Sequence, residues 1–128
     1  MGQPVVHSEI IGKHPLNLRR YYGDLFGWTF DTSALVARAV SDEGNYGFID
    51  RLTTTEGVGI PGGIGGGSGY ARHAIFYVGV QDVTAALVNA ERLGGKRVMG
   101  PEKNRGGQLV VAHFEDPEGN LIGLAGPA

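Results

Sequence analysis

The chain has 128 residues, 41% of them apolar, a formal net charge of −2 and no cysteine. That is one ordinary domain with room for a buried core; the charge balance gives no electrostatic case for nucleic acid or an anionic membrane as partner, and disulfides and thiolate chemistry are excluded. No stretch approaches the roughly 18 apolar residues of a membrane span, and Met1 to Ile11 has no basic n-region leading a long apolar run, so no signal peptide is expected and the chain reads as cytoplasmic.

Val5 to Ile11 is a short apolar run with β-branched residues, a first strand. Pro15 suits the first turn of a helix, and Leu18, Tyr21, Tyr22, Leu25 and Phe26 follow at spacings of three and four, predicting one apolar face packed on the sheet. Gly27 supplies the left-handed stop. Trp28 to Phe30, Leu35 to Val40 and Tyr46 to Leu52 read as strands, and Val58 to Ile64 as a fourth, weakened by Pro61 and its glycines. Ala74 to Val80 is a strong strand. Asp82 is an N-cap for a helix with the stripe Val83, Ala86, Leu87, Ala90 and Leu93, which Gly94 and Gly95 terminate. Arg97 to Gly100, Leu109 to Phe114 and Leu121 to Ala125 are the remaining strands, the last two joined by a type I turn at Asp116-Pro117-Glu118-Gly119.

Glycine is over-represented, at 23 of 128 residues, and densest from Gly57 to Gly69. The run Gly62 to Gly69 lacks the Gly-Lys-Ser/Thr ending and following helix of a phosphate loop. It fits a linker between two halves that could move or swap between subunits. The halves repeat: His7 lies 20 residues before Gly27, and His73 lies 21 before Gly94. One domain over 1–128 is expected, with module 1 at about 3–66, module 2 at about 71–126 and the Gly-rich linker between.

These motifs give the chain a family resemblance. His7, the pair Tyr21-Tyr22 and Leu25-Phe26-Gly27-Trp28, then His73-Ala74-Ile75-Phe76-Tyr77-Val78 and the closing segment from Phe114 to Leu124, resemble the vicinal oxygen chelate superfamily of glyoxalases, bleomycin-resistance proteins and extradiol dioxygenases. The resemblance implies an α+β fold of two βαβββ modules whose curved sheets form a cleft. It further implies, for many members, a divalent metal held by a histidine on the first strand and a glutamate on the last strand of each module, acting as a Lewis acid. His7 and His73 stand at the histidine positions. Gly123 stands where one glutamate is expected, and Gly59 to Gly65 contains no carboxylate. Two imidazoles alone make an under-coordinated site. Glu9 and Glu115 are near in sequence, but Glu9 lies two residues along the strand from His7, which argues against its completing the set. No metal ligand and no cofactor are therefore assigned, a divalent metal remaining the alternative.

His7 and His73 sit inside apolar strands, where each either bonds backbone or water or contacts a ligand. His113 is the next candidate for acid–base work. Trp28, Phe48 and Met99 are core types, some of which should line an apolar pocket in this architecture. The ligand-binding candidates are His7, Trp28, Phe48, His73, Met99 and His113, with no catalytic residue assigned. The expected function is binding of a small apolar or aromatic molecule by a homodimer. The alternative is a metal-dependent lyase, isomerase or dioxygenase using His7 and His73.

Overall fold

A computed structural model describes residues 2–128; Met1, where the expected 1–128 domain begins, lies outside the described residues. The elements are β1 (Val5–Gly12), α1 (Pro15–Phe26), β2 (Gly47–Ile49), β3 (Gly62–Gly66), β4 (His73–Gly79), α2 (Val83–Arg92), β5 (Lys96–Lys103), β6 (Leu109–Glu115) and β7 (Leu121–Pro127), with two 3-10 turns at Arg51–Thr53 and Thr55–Gly57. All seven strands form one curved sheet in the order β2-β3-β1-β4-β7-β6-β5. Its halves join within the chain through the antiparallel pair β1 and β4, while β3 runs parallel to β1 and β7 parallel to β4. The fold is the expected α+β class, with one continuous sheet rather than two. Among the described residues, no helix is long and apolar enough to cross a membrane.

Both helices cover one sheet face. The Asp82 carboxylate accepts from the Ala85 N–H at 3.0 Å and caps α2. Val83 and Leu87 of α2 then pack against Ala112 and Leu124. Gly27 ends α1 at φ 73°, its N–H donating to the Gly23 carbonyl at 2.8 Å. The α1 stripe departs from expectation. Only Pro15 is buried in that helix, and Tyr21, Leu25 and Phe26 are more than half exposed. The aromatic side chains stack along the helix flank instead, Tyr22 and Phe26 both meeting Trp28.

The second half is a complete βαβββ unit; the first is one strand short. Trp28 to Phe30 forms no strand, and that region contributes a single bridge between Asp31 and Phe48. Leu35 to Val40 is not a strand either. It crosses the open face of the sheet as a cover, burying Val36, Ala37 and Val40 against Ile11, Ile75, Val111 and Ala125. Its backbone is paired with side chains of the β5–β6 connection in place of a ladder. The Ala37 N–H donates to Asn104 Oδ1 at 3.1 Å, and Arg105 Nε donates to the Val36 carbonyl at 3.0 Å.

The glycine run also differs from the linker reading: Gly62 to Gly66 is a wholly buried strand hydrogen-bonded between β1 and β2. Glycine is required there because other side chains occupy the Cβ positions. A Cβ on Gly63 would lie 2.1 Å from the Tyr46 ring, and one on Gly65 2.5 Å from it.

Candidate functional site

Strand parity puts His7, Glu9 and Ile11 of β1 on the face opposite the helices. Register carries that face across the sheet. Gly63 pairs with Phe48 and Glu9, His7 with Tyr77, Tyr77 with Gly123, Gly123 with His113, and His113 with Met99. The middle of this row is polar, and the covering segment closes over it.

Glu9 is its hub, 3% exposed. Tyr46 donates its hydroxyl to Glu9 Oε1 at 2.8 Å, and Tyr77 donates to Oε2 at 2.9 Å. Each phenol has spent its proton on the carboxylate, so each phenolic oxygen can only accept from the histidine beyond it. His7 Nε2–H donates to Tyr46 at 2.8 Å, and His113 Nε2–H to Tyr77 at 2.7 Å. Two phenol donors thereby engage both oxygens of the buried carboxylate, which is what makes its burial tolerable.

The electrostatics agree with that proton order. Burial pushes the pKa of His7 down against the opposing pull of Glu9, and burial likewise lowers His113, so both imidazoles favour the neutral form. Burial first, then the Glu9 charge and hydrogen bond, pushes Tyr46 and Tyr77 well up, keeping both phenols protonated as donors.

A cavity of about 150 Å³ opens beside this cluster. Val6, Phe48, Leu109, Val111 and Ala125 form its apolar walls and Val36 and Val40 its cover, while His7, Glu9, Tyr46 and Tyr77 supply the polar side and Asn104 a rim.

Of the sequence candidates, the structure places His7 and Phe48 on this cavity. His113 belongs to the hydrogen-bonded cluster but does not line the cavity. His73 lies off the cavity, opposite Ile11 in register, with Nδ1 at 3.2 Å from the Ala71 carbonyl and Nε2 at 3.6 Å from Glu9 Oε2. Met99 packs against the core, and Trp28 sits with Tyr22 and Phe26 beside α1. Sequence reasoning missed Tyr46 and Tyr77 and set Glu9 aside. A carboxylate inside the apolar run Val5–Ile11 was the available signal, since such a group is buried only with partners.

The four-ligand metal set that the resemblance implies does not fit these residues. Gly123 and Gly63 offer no donor, and the space a side chain would need is filled: a Cβ on Gly123 would lie 2.5 Å from the Tyr77 ring, mirroring Gly63 against Tyr46. Both oxygens of Glu9 and the Nε2 atoms of His7 and His113 are engaged in the cluster. Among the described residues no group of three or more His, Cys, Asp or Glu side chains is arranged to hold a metal ion.

A one-sheet α+β domain with a cavity on the face away from its helices defines the class. Residues 5–124 match the Glyoxalase/Bleomycin resistance protein/Dioxygenase superfamily, and the chain belongs to that family. Among solved structures it is similar to methylmalonyl-CoA epimerase of Streptomyces coelicolor in complex with 2-nitronate-propionyl-CoA, at 13% identity and TM-score 0.61, covering 98% of each chain. It is also similar to the methylmalonyl-CoA epimerase of Mycobacterium tuberculosis, at 14% identity and TM-score 0.63 over 97% of this chain and 87% of that one. A hypothetical protein of Bacillus halodurans C-125 aligns at 12% identity and TM-score 0.62 over 100% and 96% of the chains. Likeness at this identity is likeness of fold. No curated protein matches the sequence.

Proposed function

We propose that this protein binds a compact, largely apolar molecule of about one ring in the cavity beside Glu9, and does so without a resident metal. The observation that carries the reading is the pairing of a small apolar cavity with a buried carboxylate whose two oxygens are already engaged by phenols. A cavity of about 150 Å³ is the size that holds benzene in other proteins. Glu9, Tyr46 and Tyr77 spend their hydrogen bonds on one another, which favours holding a ligand over transferring its protons. Use of His7 and His73 as a metal pair finds less support. In register His7 faces Tyr77 and His73 faces Ile11, with Glu9 standing between.

Titration of isotope-labelled protein with single-ring compounds, followed by amide chemical shifts, tests this. Saturable one-to-one shifts at Phe48 and Val111 are expected, and Ala125→Leu, which fills the cavity, should abolish them. Absence of saturable shifts with any ring-sized compound would contradict the proposal.

A further inference from the structure

We infer that the cavity selects ligands carrying a neutral hydrogen-bond donor, a phenolic or small-alcohol hydroxyl, and that His7 Nδ1 is the atom that receives it. This deepens the cavity-binding function proposed above and rests on it. The protons are ordered outward from Glu9. The carboxylate accepts from Tyr46, so Tyr46 must accept from His7, and His7 must carry its hydrogen on Nε2. A neutral imidazole has one N–H, and burial favours the neutral form here. Nδ1 is left as a bare acceptor, with no hydrogen-bond partner among the described residues.

The ring is also held in place. Tyr46 stacks on it at 6.3 Å between centroids, and Phe48 and Tyr77 each approach to 5.8 Å, so the ring is fixed where His7 lines the cavity. The carboxylate cluster thus acts on the ligand indirectly. It sets the tautomer of the one imidazole that faces the cavity, and the tautomer sets what the cavity accepts. Without the Glu9–Tyr46 arm either nitrogen of His7 could hold the hydrogen, and the cavity would have no fixed preference.

Two measurements on the full chain test this. Long-range proton–nitrogen NMR of the unliganded protein at neutral pH reads the tautomer directly: His7 should carry hydrogen on Nε2, and hydrogen on Nδ1 would overturn the inference. Phenol and toluene, nearly equal in shape, are then titrated into the wild type and His7→Phe. A single neutral hydrogen bond predicts that the preference for phenol over toluene falls about fivefold or more in the variant. If both probes bind the wild type and that ratio does not move, the donor selectivity fails while the cavity-binding function stands. If neither probe binds the wild type, both fail.

Discussion

Two phenols converging on one buried carboxylate make Tyr46 and Tyr77 stability determinants as well as site residues. Tyr77→Phe deletes the donor to Glu9 Oε2 and leaves His113 Nε2–H without its acceptor, while keeping the ring that fills the space above Gly123. Stranding two buried polar groups should lower unfolding free energy by about 1–3 kcal/mol, read by urea denaturation at neutral pH; an unchanged midpoint would show that the cluster contributes nothing to the fold. The histidines add a pH dependence. Both folded-state pKa values are depressed below the ordinary 6.5, so the unfolded chain binds more protons in the window just under that value. Stability should therefore fall as pH drops from about 7 to about 5, and His113→Phe should flatten part of that slope. A slope of the opposite sign, or one indifferent to this substitution, would contradict the neutral-imidazole assignment. Asp31 and Asp116, whose pKa values are lowered by hydrogen bonds to Ser33 and Asn120, act only at more acidic pH.

The strand β3 shows where sequence and structure part company. Short apolar runs revealed β1, β4, β6 and β7 plainly, because each presents apolar groups to two faces. Gly62 to Gly66 has almost no side chains to alternate, so composition pointed to a linker while the backbone ladder made it a buried strand. What fills its face is the ring of Tyr46, 17 residues earlier than Gly63, and no local pattern reveals that. Leu35 to Val40 failed in the opposite way. Its apolar residues are buried as a strand's would be, but by crossing the sheet rather than joining it. Gly63→Ala and Gly123→Ala each force a methyl into a tyrosine ring and should cost about 1–3 kcal/mol. Gly69→Ala meets nothing within 4 Å and should stay within about 0.5 kcal/mol of wild type. Equal effects from the three would show that the rings yield freely.

Across the molecule, the site comes from four places distant in sequence: β1, the residue before β2, β4 and β6. His7 was legible from its place in the family pattern and Phe48 as an apolar type that can wall a pocket, while strand parity fixes which residues share the face of His7. Glu9 shares that face and was visible by the same rule, yet its meaning depended on Tyr46 and Tyr77, which only the sheet register and the path of the cover bring to it. The departure from the family's glutamate pattern was readable at Gly123; that tyrosines occupy the vacated space was not. In the function proposed here, the Glu9 cluster leaves the cavity competent without a metal. Phenol titrated into the protein in the presence of a strong chelator, and again with zinc, nickel or manganese supplied in excess, tests it most directly. The same saturable affinity is expected in every condition; binding that appears only when a divalent metal is present would overturn metal-independent binding.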